Sequence, residues 1–162
     1  AKNLYDEESA TYYLLGLVEA RQENYTEAIE YINQALQLKP DSAQYQFDLA
    51  LCHMENEDYE NAQNLFDKVM ETYYQDQSLL VYVCDLCDRT GNYKKGINII
   101  ESIPKDELGE PYLVYQLAQF YNKLGNNKEK VLNLLNEARD KARYLKDKNL
   151  IEEIGAYENE IN

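Results

Sequence analysis

The sequence predicts an all-α protein built as a stack of antiparallel helix hairpins and closed by one further helix. Three observations carry that prediction. Tyr25, Tyr59 and Tyr93 recur at intervals of 34 residues, each closing a polar turn (Gln22-Glu23-Asn24, Glu57-Asp58 and Gly91-Asn92); an internal period of this length outranks any local motif. Other residues align on the same period, large with large and small with small: Leu15, Leu49 and Val83; Gly16, Ala50 and Cys84; Ala28, Ala62 and Gly96; Ile32, Phe66 and Ile100. Within each copy an apolar pattern of about 3.6 residues occurs twice around a short polar turn, which is how two antiparallel helices read in sequence. One more step along the period reaches Leu117, Ala118 and Tyr121, a fourth copy.

In order, Ser9–Gln22 and Thr26–Leu38 form the first hairpin, and Ser42–Asn56 and Tyr59–Tyr73 the second. Asp76–Thr90 and Tyr93–Ile103 make the third, and Pro111–Leu124 and Lys128–Tyr144 the fourth. The repeats therefore occupy residues 9–42, 43–76, 77–110 and 111–144 of one domain. Pro40 and Pro104 cannot continue a helix, Gly91 and Gly125 suit left-handed C-terminal geometry, and Pro111 fits a first-turn position. The stretch Pro104–Glu110 is the longest connection and the expected place for a change in curvature. Leu150, Ile154, Tyr157 and Ile161 then make one apolar stripe on a charged helix at about 148–160, the polar-backed cap that a repeat array needs.

These residues resemble the tetratricopeptide repeat family, whose pattern runs aromatic, Leu-Gly, Tyr, Ala, Phe and Pro at fixed offsets. The first copy reads Tyr12, Leu15-Gly16, Tyr25, Ala28, Ile32, Ala35 and Pro40, with Glu19 in an aromatic slot. The second keeps Leu49-Ala50, Tyr59, Ala62 and Phe66 but has Gln46 and His53 in aromatic slots, and Tyr74 where the closing Pro falls. The third places Cys84 and Cys87 in the small and aromatic slots and Gly96 for the packing Ala. The fourth needs one residue inserted after Gly125, which aligns Val131, Leu135 and Ala138. The resemblance implies a right-handed superhelical α-solenoid over residues 9 to 143.

Composition narrows the function. Thirty acidic against sixteen basic residues give a net charge of −14, which repels phosphate backbones and anionic lipid and leaves nucleic acid and membrane surfaces as poor partners. A polypeptide with basic residues flanking an apolar stretch is the expected partner. No run of about 20 apolar residues exists to span a bilayer. Three cysteines without framework spacing point to a reducing compartment, hence the cytoplasm. No basic and apolar leader is visible as a signal peptide, and a start at Ala1, only a few residues before the first hairpin, is what a segment excised from a longer chain would show.

No catalytic site is expected, and no metal or other cofactor. Cys52, His53, Cys84 and Cys87 carry the chain's metal-ligand chemistry, yet three of them fill repeat slots and read as core. Cys84-Asp85-Leu86-Cys87 has the spacing of a redox pair but lies inside a helix beside an acidic residue, which disfavours a thiolate. His53, the single histidine, has no evident nucleophile to serve.

What remains is a surface. The resemblance implies a concave groove lined by the first helix of each hairpin, here Tyr13, Leu17, Phe47, Leu51, Met54, Val81, Asp85, Asp88, Arg89, Tyr112, Tyr115, Gln119 and Lys123. Its first half is apolar and its second half polar. Exposed Tyr13, Phe47, Leu51 and Met54 would be anchors for an extended or helical peptide. The Lys, Asn and Arg clamp with which some family members hold a chaperone's C-terminal carboxylate is replaced by Tyr13, Leu17, Asp48, Ser78 and Tyr82. Two alternatives stand beside peptide capture: a small acidic secretion-type chaperone for an apolar client segment, and a scaffold that self-assembles through an open end of the stack.

Overall fold

The computed structural model describes residues 2–73, 76–125 and 128–161. The closing-Pro slot at Tyr74 and the insertion after Gly125 lie outside the described residues. The chain divides into two compact units, Ala1–Tyr74 and Gln75–Asn162. The first holds α1 (Lys2–Arg21), α2 (Tyr25–Leu38), α3 (Ala43–Glu55) and α4 (Tyr59–Tyr73). The second holds α5 (Gln77–Arg89), α6 (Tyr93–Glu101), α7 (Pro111–Lys123), α8 (Lys128–Leu145) and α9 (Lys148–Ile161). The fold is all-helical, and consecutive helices pack in pairs within each unit.

The helix starts are written locally. Ser42 and Asp76 accept hydrogen bonds from the Tyr45 and Leu79 amides, Glu110 accepts from Tyr112 beside Pro111, and Asp147 accepts from Leu150. Each side-chain oxygen satisfies an amide that the first turn leaves orphaned. Asp58 likewise accepts from the Asn61 amide at the start of α4, so side-chain caps open α3, α4, α5, α7 and α9.

The turns inside the hairpins also share one solution. Glu23, Glu57, Gly91 and Gly125, spaced by the sequence period, all have φ between +61° and +71°. After the first three, the Asn24, Asp58 and Asn92 amides reach back to the Glu19, His53 and Cys87 carbonyls at 2.8–3.0 Å. This left-handed closure satisfies the last carbonyls of the helix. Lys146 (φ 60°) and the Asp147 amide repeat it between α8 and α9.

Two boundaries depart from the sequence expectation by more than one residue. Helix α1 begins at Lys2 rather than Ser9, because Ser9 is no cap: it is buried and its hydroxyl donates to Tyr45 Oη at 3.3 Å. Helix α6 ends at Glu101 rather than Ile103, since Ile103 precedes Pro104 and is pushed out of the α region. The connection that follows is pinned within its unit. Gln77 donates to the Glu107 carbonyl and accepts from the Gly109 and Glu110 amides, while Lys141 Nζ donates to the Leu108 carbonyl.

Packing follows the aligned residues. Ala28, Ile32, Ala62, Phe66, Ile100, Val131, Leu135 and Ala138 are fully buried, as close helix approach at small residues requires. A Cβ at Gly96 would run into the Phe120 ring, so α6 and α7 meet there. Leu15 is an exception. It is 42% exposed while Leu49 and Leu117 are buried. Leu49 has α2 ahead of it and Leu117 has α6, whereas no described helix precedes α1.

Candidate functional site

In the first unit the leading helices α1 and α3 carry Tyr13, Leu17, Phe47 and Leu51, all part-exposed. The Tyr13 ring stacks on Tyr45 with centroids 4.2 Å apart, and its hydroxyl donates to Asp48 Oδ2 at 2.5 Å. Gln44 Nε2 donates to the same oxygen at 2.7 Å. Burial first, then the bond to Asp48, raises the Tyr13 pKa well above that of a free phenol. Tyr13 is therefore held in place, neutral and part-exposed. Phe47 reaches inward to Phe66 at 6.0 Å between centroids, so it is seated on the core while its outer part remains open.

Met54 departs from the expectation of a groove anchor. It is 2% exposed, in the last turn of α3 where the chain folds back toward α4, and belongs to the core.

In the second unit the polar groove residues are mostly partnered. Arg89 Nε holds Asp85 Oδ2 at 3.0 Å, and Lys123 Nζ holds Asp88 Oδ1 at 2.5 Å. Lys123 also lies 5.2 Å from the Tyr93 ring centroid. The two acids expected to draw a basic client are each matched by a cation of the same unit, so their field is largely compensated at contact range. Val81 is part-buried, and its carbonyl accepts from Gln116 Nε2 at 3.3 Å. Gln119 is likewise part-buried.

Tyr115, expected in the groove, is buried at 2% exposure. Helix α9 brings Tyr157 edge-on to it at 5.8 Å between centroids, and Tyr112 packs on its other side at the same distance. Burial, then the charge of Glu153, raises the Tyr115 pKa; Tyr112 shifts the same way for the same leading reason. Asn122 Nδ2 donates to Tyr157 Oη at 2.9 Å, and Arg139 of α8 pairs with Glu158. The cap thus covers part of the face it was expected only to terminate.

Sequence reasoning passed over Gln44 and Glu153, and took Asp48 only as a departure from the carboxylate clamp and Tyr157 only as part of the cap's apolar stripe. A signal was present: Tyr13–Asp48, Val81–Gln116, Asp88–Lys123 and Asn122–Tyr157 are all 35 apart in sequence. Within each unit, one repeat plus one residue joins a leading helix to the next: α1 to α3, α5 to α7, and α7 to α9.

The cysteines are all free and buried. Burial pushes the Cys52 thiol up to about 11, helped by Asp48, and that of Cys84 to about 12, helped by Cys87. His53 Nδ1 stands 3.0 Å from Asp58 Oδ2. Asp58, held mainly by hydrogen bonds from Asn61 and also by His53, has a lowered pKa. Among the described residues no group of three or more His, Cys, Asp or Glu could hold a metal ion, and no helix is long and apolar enough to cross a membrane.

The tetratricopeptide-repeat family profile matches residues 7–78. Comparison with curated proteins finds no match. Among solved structures, YrrB, described as a TPR protein with an unusual peptide-binding site, superposes with a TM-score of 0.73 at 19% identity, covering 91% of this chain and 74% of its own. A crystal structure of MamA gives 0.75 at 15% identity over 85% and 80% of the two chains. MamA from Desulfovibrio magneticus RS-1, residues 41 to the end, gives 0.72 at 15% identity over 93% and 92%. At these identities the likeness is one of fold. Tetratricopeptide repeats mediate protein–protein interactions and are generally non-enzymatic. The tetratricopeptide-repeat profile thus covers residues 7–78 of this chain, and over most of its length the chain has the fold of such proteins.

Proposed function

We propose that the chain is a non-enzymatic binding module that captures an extended or helical peptide on the leading-helix faces of its hairpins, which together make one repeat domain. The observation that carries this reading is the strip of Leu17, Phe47 and Leu51 beside the Tyr13 ring in the first unit. These apolar side chains lie part-open on neighbouring helices although their own unit contains a well-filled core. Aromatic and aliphatic groups seated on a rigid base are the kind that anchor a partner. Val81, Tyr112 and Gln119 extend the reading to the second unit, with Asp85, Arg89, Asp88 and Lys123 as paired polar rim residues.

A client with basic residues flanking an apolar stretch suits a chain of net charge −14. Nucleic acid and membrane surfaces do not. Catalysis by thiolate is disfavoured because burial holds the Cys52 and Cys84 thiols protonated. Three free thiols fit a reducing compartment, so the cytoplasm is the proposed location.

The test is titration calorimetry with a synthetic peptide carrying an apolar core between lysines. Phe47→Ala is expected to weaken binding by about 1 kcal/mol or more with little loss of fold, and added salt to weaken it further. Unchanged affinity together with a fold destabilised by several kcal/mol would make Phe47 a core residue and sink the reading. A second reading, self-assembly, is favoured by Leu14 and Val18, which with Leu15 leave an apolar stripe open along α1. Sedimentation at rising concentration separates the two.

A further inference from the structure

Eight residues after their N-caps, the capped leading helices carry Ala50, Cys84, Ala118 and Gly155. In α1 the aligned residue is Gly16. These small residues form the notch where the second helix of a hairpin crosses the first. At Gly16 the notch is full, since an added Cβ would lie 2.6 Å from Ile32 Cγ1. Ala50, Cys84 and Ala118 are fully buried. At Gly155 an added Cβ would meet nothing within 4 Å, and both Gly155 and Ile151, one turn earlier, are part-exposed. The opposite side of α9 is docked as in any leading helix, with Leu150 and Ile154 buried. Helix α9 therefore has the form of a leading helix whose hairpin face no described second helix covers.

We propose that this face of α9 seats a basic amphipathic helix of a protein partner, which crosses at Gly155 as α2 crosses α1 at Gly16. The apolar part of the recognition is a bulky side chain set into the Gly155 notch against Ile151, as Ile32 is set against Gly16. Charge complementarity supplies the rest. Helix α9 holds four glutamates against one lysine, and Glu152, exposed, borders the notch. Arg139 compensates Glu158 alone. The same charges disfavour a second copy of this chain, whose open α1 stripe is flanked by Glu7 and Glu8. This site is separate from the leading-helix strip of the first unit and stands or falls without it.

The test uses the chain as it is, with two fluorescent peptides copying the sequence of α2, one with lysine at every solvent-facing position and one with glutamate. Anisotropy is expected to show the lysine peptide binding at least about tenfold tighter. Gly155→Leu should cost about tenfold or more by filling the notch, while its circular dichroism and melting temperature stay at or above those of the parent. Tyr73→Ala, an exposed residue of α4 outside both proposed faces, should leave this binding unchanged. The proposal is overturned if Gly155→Leu binds the lysine peptide like the parent, or if neither peptide binds. It is also overturned if the parent sediments as a dimer that Gly155→Leu dissociates, which would make a second copy the occupant.

Discussion

Gly16 and Ile32 touch across the α1–α2 crossing so closely that a methyl group has no room between them. A Cβ at Gly16 would stand 2.6 Å from Ile32 Cγ1 and 3.1 Å from the Ala28 carbonyl oxygen. Ile32 is fully buried and branched at Cβ, so it has little freedom to turn away.

Two glycines in helices should consequently respond in opposite directions to the same substitution. Gly16→Ala is expected to lose about 1–3 kcal/mol through overpacking, even though alanine is the better helix former. Gly155→Ala should gain up to about 1 kcal/mol, since propensity acts there unopposed. Urea unfolding of both variants checks the pair, and equal responses would remove the register on which the α9 notch depends.

The turns offer a second comparison. Glu23 and Glu57 occupy the left-handed conformation that Gly91 and Gly125 adopt without strain. Glu23→Gly and Glu57→Gly should each stabilise by about 1 kcal/mol, and Gly91→Ala and Gly125→Ala should destabilise by about as much. Thermal melts of the four variants read out the sign directly. A fall in stability on Glu57→Gly would mean that this turn is relaxed by contacts of the Glu side chain.

Alkaline pH should loosen the fold. The Tyr13, Tyr112 and Tyr115 pKa values are raised in the folded state, mainly by burial. The native state then holds protons that the unfolded chain releases above about pH 10, so stability is intact below that value and falls as pH rises. Tyr13→Phe is expected to flatten the decline between pH 9 and about 11 in urea titrations. An unchanged slope would show that the Asp48 contact adds nothing to the shift.

Thiol reactivity gives a fourth check. Cys52, Cys84 and Cys87 are buried and free, so a chromogenic disulfide at neutral pH should label none of them in the folded protein and all three on denaturation. Rapid labelling of one thiol under native conditions would place that cysteine in a segment that opens locally.

The sequence by itself determined the hairpins, their turns and the crossing residues, because each of these is set locally. A 3.6-residue period fixes which face of a helix is apolar. A left-handed residue at a fixed offset closes the turn, and a small residue at a fixed offset permits close approach. Tertiary structure alone decided which apolar groups stay open. Met54 and Tyr115 lie on leading helices like Phe47 and Leu51, yet they are buried while the other two are part-open. In the second unit, Asp85 and Asp88 met Arg89 and Lys123, and α9 was laid over Tyr115. Exposure and charge compensation depend on what stands across a helix face, usually one repeat away. Periodicity describes a helix's own faces and is silent about the neighbour that covers them.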